Sequence, residues 1–311
     1  MKKLLNIFVV SFALVFSSNL FANKIGVIYD SGGKFDKSFN ELAFRTAERV
    51  KNELGWDMIE FEAANNTQIE QGMRKVADRG ANLVIAMGFA QADAVAAVAP
   101  QYPDVNFVAV DVCWVDDPAG NIYQACYKEH EGSFLVGMIA AMASKSGKIG
   151  FVGGMDIPLI RKFQGGYEQG ALYVNPDIEI HANMTGTTPE AWNNPTKGAE
   201  LTKAQIDKGA DVVYQAAGGT GIGVLQAAAD AGIMGIGVDT NQNYMHPGNM
   251  LTSMLKRLDL TIFEQAEKTA AGTFESGIHI LGLAEGAVGY ATEDGMVTDE
   301  MAAAVEAAAA E

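Results

Sequence analysis

Apolar positions in this chain fall into two alternating patterns. Short runs in which nearly every residue is apolar, such as KIGVIYD (24–30), NLVIAMG (82–88) and VNFVAVD (105–111), predict buried strands. Between them lie longer stretches, DKSFNELAFRTAERVKNELG (36–55) and NTQIEQGMRKVADRG (66–80), in which apolar residues recur every three or four positions and predict helices. Alternation of this kind builds parallel sheets with helices on both faces. The rhythm restarts after EGSFLVGMIAAMASKSG (131–147), with KIGFVGG (148–154), IEIHANM (178–184), DVVYQAAGG (211–219) and MGIGVD (234–239) as the next strands. The twin openings KIGVIYD and KIGFVGG read as the first strand of each of two α/β lobes, with a cleft between them.

The first 22 residues break the pattern. Two lysines, an apolar segment of about a dozen residues and a polar break ending in Ala22 form a secretory signal, too short for a membrane-spanning helix. A mature chain starting near Asn23 is expected, exported to the periplasm, and no cysteine near the cleavage point suggests a lipid anchor. The chain of 311 residues is longer than one core usually serves, in keeping with two lobes. Its formal charge is −16, and loss of Lys2 and Lys3 with the leader takes it two units further. So acidic a surface repels phosphate backbones, which argues against nucleic acid as a partner. The two cysteines, Cys113 and Cys126, fit either one disulfide in an oxidising compartment or two buried thiols. The four histidines are scattered without paired spacing, so neither a metal nor another cofactor is expected.

In open parallel sheets ligands bind beyond the carboxyl ends of the strands. Those positions hold Asp30, Gly88, Phe89, Asp111, Gly153, Gly154, Gly218, Gly219, Thr220 and Asp239, a set rich in glycines and carboxylates. Glycines let a backbone approach a ligand closely, and a fixed carboxylate accepts hydrogen bonds from neighbouring hydroxyls. GGTGIG is followed by no Lys-Ser or Lys-Thr pair, so a phosphate-binding loop is not expected. Asp36 is a good helix cap and places Phe39 and Asn40 in the first turn, at the mouth of the lobe. Spacing alone leaves Phe39 open between a ligand contact and a core residue beside Leu42 and Ala43. Asp111 is open between ligand and strand end, and Trp192 fits a rim residue better than a contact.

The blocks VIYDSGGKFDKSFNELA, FQGGYEQGA, GADVVYQAAGGTGIGVLQAA, IGVDTNQ and LTSMLKR, in this order, resemble the basic membrane protein family of ABC-transporter substrate-binding proteins, which includes purine nucleoside receptors. The resemblance runs from about Lys24 to about Tyr290. It implies a type I periplasmic-binding-protein fold: two Rossmann-like lobes with parallel sheets, joined by three crossovers. The N-terminal lobe is expected from 23–126 and about 254–274, the C-terminal lobe from 127–253 and about 275–311. Carried over, the family pattern implies that Asp30 and Asn40 hydrogen-bond the purine edge and that Phe39 stacks on one face, with Tyr214 on the other. It implies that Asp239 and Lys256 hold the ribose hydroxyls and that the Gly218 and Gly219 backbone lines the sugar side. The implied function is capture of inosine, guanosine or adenosine by a monomer and delivery to a permease in the inner membrane, without catalysis. An exported nucleoside hydrolase, or a receptor for a flavin or free base, stays open as an alternative; no carboxylate cluster completes a hydrolytic metal site.

Overall fold

The computed structural model describes residues 22–310 apart from residue 64. The leader expected over residues 1–22 therefore lies, all but its last residue, outside the described residues. The first lobe begins with β1 (Lys24–Tyr29), α1 (Phe39–Leu54), β2 (Asp57–Glu62), α2 (Ile69–Asp78), β3 (Leu83–Met87), α3 (Ala92–Val98), β4 (Asn106–Val110) and β5 (Ile122–Tyr127). The second is built from α4 (Glu129–Ala143), β6 (Lys148–Met155), α5 (Pro158–Val174), β7 (Glu179–Gly186), α6 (Pro195–Ile206), β8 (Val212–Ala216), α7 (Thr220–Asp230), β9 (Met234–Asp239) and β10 (Met250–Lys256). The chain then returns to the first lobe with α8 (Leu258–Ala271) and β11 (Gly277–Leu281), and ends in the second with β12 (Val288–Tyr290) and α9 (Asp299–Ala309).

The two sheets share one topology. Strand order is β11-β5-β4-β3-β1-β2 in the first and β12-β10-β9-β8-β6-β7 in the second. Every pairing is parallel except that of β12 with β10. Both sheets reverse direction of growth beside their first strand, which opens a crevice at the carboxyl ends of the strands. Among the described residues the chain crosses between lobes three times, at Lys128, at Arg257 and over 282–287, as the type I periplasmic-binding fold requires.

These crossovers fall at different residues from those expected from sequence. Residues 254–256 remain in β10 of the second sheet, and Gly277–Leu281, expected in the second lobe, pairs with β5 of the first. The reason is that β11 alternates half-buried and exposed positions at a sheet edge, so it lacks the continuous apolar run that marks an inner strand.

Helix packing follows from the sequence pattern. On α1, Ala43, Ala47 and Val50 recur at helical spacing and are fully buried against the sheet, and the helix stops at Gly55 with φ of 71°. In the second lobe α4 and α5 cross at very close range. A Cβ on Gly166 or Gly170 would lie 2.3 Å from the His130 carbonyl or 1.9 Å from that of Phe134. Gly166 and Gly170 of FQGGYEQGA are therefore a packing device between two helices, whereas Gly165 faces open space. Among the described residues no helix is long and apolar enough to cross a membrane.

Candidate functional site: an acidic, aromatic-walled cleft

Between the lobes lies a cleft with about 550 Å³ of atom-free space, the open solvent at its mouth included. The first lobe contributes Asp30 and Asp36 after β1, Phe39 at the start of α1, Gly88 and Phe89 after β3, and Asp111 after β4. The second contributes Ile160 and Phe163 from α5, Trp192, the Ala216–Gly218 turn after β8, Asp239 at the end of β9 and Lys256 at the end of β10. Asp30, Phe39, Gly218, Asp239 and Lys256 of the expected set thus meet at one place, joined by Asp111 and Trp192.

Asp36 organises the first-lobe wall. The α1 N-cap residue, Ser38, makes no side-chain capping bond. Instead the Asp36 carboxylate accepts from the backbone N–H of Ser38 at 2.9 Å, of Asn40 at 3.0 Å and of Glu41 at 3.1 Å. Helix N-termini leave such donors unpaired, and a carboxylate satisfies them and complements the helix dipole. The Asn40 amide nitrogen donates to Asp36 Oδ2 at 3.0 Å and to Asp30 Oδ1 at 2.6 Å, while its oxygen accepts from the Asp30 N–H. Both donor hydrogens of Asn40 are engaged within the protein and the residue does not line the cleft. Its place is one layer back, where it fixes Asp30. Phe39 is half-buried, its ring on the cleft.

Tyr214 is also not at the cleft. It is fully buried in β8, its ring 5.1 Å from that of Tyr167 and 5.5 Å from that of Phe151, with its hydroxyl 3.2 Å from Ser133 Oγ. Strand alternation explains this: Tyr214 points under α4 and α5, and only the turn two residues on reaches the ligand side. Besides Trp192, the second-lobe aromatic at the cleft is Phe163. It shares a face of α5 with Gly166 and Gly170, but lies one turn earlier, beyond the start of α4, so its ring reaches the cleft instead of a neighbouring helix. Nothing in the local spacing of FQGGYEQGA marks Phe163 as a ligand contact. Gly219 does not line the cleft; a Cβ there would lie 3.2 Å from the Trp192 carbonyl and 3.4 Å from the Gly32 carbonyl of the first lobe.

The polar floor is a buried charge cluster. Lys256 Nζ lies 2.6 Å from Asp111 Oδ1 and 3.1 Å from Glu129 Oε1, and 5.4 Å and 5.7 Å from the ring centres of Phe39 and Phe163. Glu129, which sequence reading did not single out, is fully buried at the start of α4, and its other oxygen is 3.4 Å from Lys162. Asp111 and Asp239 occupy equivalent positions, each following or ending the fourth strand of its sheet, with φ of 62° and 67°. Aspartate tolerates this left-handed conformation better than most residues. The turn it makes brings both carboxylates to the floor.

Burial raises the Asp36, Asp111 and Asp239 carboxyls to about 6. Lys256 opposes the rise at Asp111 and Asp239, as backbone N–H groups do at Asp36. Burial also raises Asp30 against the bonds from Asn40 and Gly32. Lys256 is pulled down by burial, but Asp111, Glu129 and Asp239 outweigh that and hold it above the ordinary lysine value. The cleft thus offers hydrogen-bond acceptors at both ends, aromatic surface between, and one cation already committed to two carboxylates.

The lobes touch across the cleft. Ser38 Oγ lies 2.5 Å from Asp239 Oδ2, and the Gln242 amide donates to the Lys37 carbonyl at 2.9 Å. Gln242 is itself held by Gln215 and by the Val238 N–H. Among the described residues no group of His, Cys, Asp and Glu side chains is placed to hold a metal ion.

The profile of the PnrA-like (Bmp) ABC transporter substrate-binding proteins matches residues 22–308. Basic membrane protein A of Borreliella burgdorferi is 34% identical over 285 residues, which cover 89% of this chain and 82% of that protein. The CD4+ T-cell-stimulating antigen of Listeria innocua is 30% identical over 304 residues, covering 91% and 84%. Among solved structures, an ABC transporter solute-binding protein from Aeropyrum pernix aligns with a TM-score of 0.80 at 30% identity, covering 88% of this chain and 77% of that one. One from Conexibacter woesei aligns at 0.73 with 27% identity, covering 93% and 95%. With the fold, the crossovers and the interlobe cleft in agreement, this chain belongs to the PnrA-like family of ABC transporter substrate-binding proteins.

Proposed function

We propose that the protein captures a neutral purine nucleoside between its lobes and delivers it to an inner-membrane permease after export. The observation that carries this reading is the pairing of Phe39 and Phe163, one from each lobe, beside a floor of carboxylates. A flat base fits against aromatic rings, and its N–H groups meet an acceptor in Asp30. Ribose hydroxyls are donors suited to Asp239 and Asp111, and Lys256 keeps a third N–H for a ribose oxygen. The surplus of carboxylates over ammonium groups disfavours a nucleotide, whose phosphate would be repelled.

Calorimetric titration with inosine, guanosine and adenosine tests the reading, with 2′-deoxyinosine and hypoxanthine as controls. Ribonucleosides should bind more tightly than the deoxy form, and the free base least. A site built for a hydroxyl leaves its own buried acceptor unpaired when the hydroxyl is missing, at a cost of about 1–3 kcal/mol. Equal affinity for all three inosine-series compounds would move the assignment to a base or another flat ligand. Release of free base on incubation would instead favour the hydrolase.

A further inference from the structure

The cleft continues past Asp30 into a second, smaller recess, with about 430 Å³ of atom-free space when the open solvent beside it is included. Asp30, Gly88, Phe89 and Trp192 line both spaces, so the recess is an annex of the ligand cleft. Its further walls come from both lobes: Ile69 at the start of α2, Met155 at the end of β6, and Pro189 in the turn before Trp192. These side chains are apolar, and the polar ones present are Asp30 at the shared boundary and Ser31. Asp30 Oδ1 accepts from Asn40 and from the Gly32 N–H, whereas among the described residues Oδ2 accepts no hydrogen bond. A free acceptor thus stands at the doorway to an apolar space.

We propose that the annex is a subsite for an apolar substituent on the exocyclic amine of the base, so that the protein takes N-alkylated purine nucleosides in preference to unmodified ones. The proposal rests on the nucleoside reading above. An amine alkylated once keeps one N–H, which donates to Asp30 Oδ2, and its alkyl group is then directed past the carboxylate into the annex. An unmodified amine makes the same hydrogen bond and leaves the apolar walls uncovered. Burial of the substituent against Ile69, Met155 and Trp192 removes apolar surface from water on both partners.

Adenosine, N6-benzyladenosine and inosine are titrated into the mature protein and into two variants that narrow the annex from opposite lobes, Met155→Trp and Ile69→Phe. Neither residue lines the main cleft. The wild type is expected to bind N6-benzyladenosine at least tenfold more tightly than adenosine. A variant with wild-type thermal unfolding is expected to lose that preference while binding adenosine within about twofold of wild type. Equal or weaker binding of the benzyl compound by the wild type overturns the proposal, as does a preference that survives in both variants. Binding of inosine with neither adenosine compound bound also overturns it while leaving the nucleoside reading intact. Failure of all three removes that reading together with the proposal.

Discussion

At the scale of single residues, position relative to the strand ends decides what each side chain can do. Phe39 and Tyr214 are both aromatics near the carboxyl end of a sheet, yet only Phe39 lines the cleft. The first stands on a helix start at the lobe mouth, and the second on a strand face covered by helices. Phe39→Ala and Phe163→Ala should each weaken nucleoside binding by roughly ten- to a hundredfold, since stacking of a base on a ring contributes about 1–3 kcal/mol. Tyr214→Phe should leave affinity unchanged and lower stability by about 1 kcal/mol, by removing a buried hydrogen bond to Ser133. Titration and denaturant melts of the three variants check both statements, and a binding defect in Tyr214→Phe without unfolding would return that ring to the site. Asp30 and Asp239 were legible in the sequence because each follows or ends an unmistakable strand, whereas Lys256 came only with the family resemblance. Phe163 and Glu129 were not, because what exposes them to the cleft is where two helices begin relative to each other, a tertiary fact absent from local spacing.

At the scale of elements, most of the inner strands were readable for a simple reason. A parallel strand covered on both faces is apolar throughout, and β1, β3, β4, β6, β8 and β9 all show this. Two of the edge strands were not: β11 alternates exposed Ile278 and Ile280 with half-buried neighbours, and β12 has only three residues. The loop between β4 and β5 shows a second kind of limit. Cys113 and Cys126 left two outcomes open by sequence, and the structure joins them in a disulfide that ties the segment after Asp111 to β5. Closing a loop of this length restricts the unfolded chain by about 3 kcal/mol. The double variant Cys113→Ser with Cys126→Ser should therefore unfold at distinctly lower denaturant, and the untreated native protein should resist thiol labelling. Rapid labelling of both residues in the native state would contradict the pairing. Asp111 sits two residues before this staple, so the double variant should also bind ligand more weakly than its stability alone explains.

For the whole molecule, the acidic floor couples closure, ligand and pH. Three carboxyls, Asp36, Asp111 and Asp239, are raised by burial to about 6, while in the unfolded chain they ionise near the ordinary aspartate value of about 4. Between those values the folded state holds protons that the unfolded state has released. Stability of the ligand-free protein therefore falls as pH rises through this window, and above about 6 the ionised carboxyls oppose the closed fold. A ligand that donates hydrogen bonds to the ionised carboxylates acts in the opposite direction, because it binds the charged form best and lowers these values. Below about pH 6 its binding must displace protons, so affinity should fall as the solution is made more acidic, even as the empty protein becomes more stable. Relief of repulsion across a chain of formal charge −16 also raises acid stability, so melting alone does not isolate the cleft. The affinity profile does. Inosine titrations from pH 7.5 to 5 should show weakening for the wild type, and Asp239→Asn, which carries no charge to be protonated, should show weaker binding at pH 7.5 with a flatter profile. A wild-type affinity that stays constant or improves toward pH 5 would mean that these carboxylates do not meet the ligand as charged acceptors.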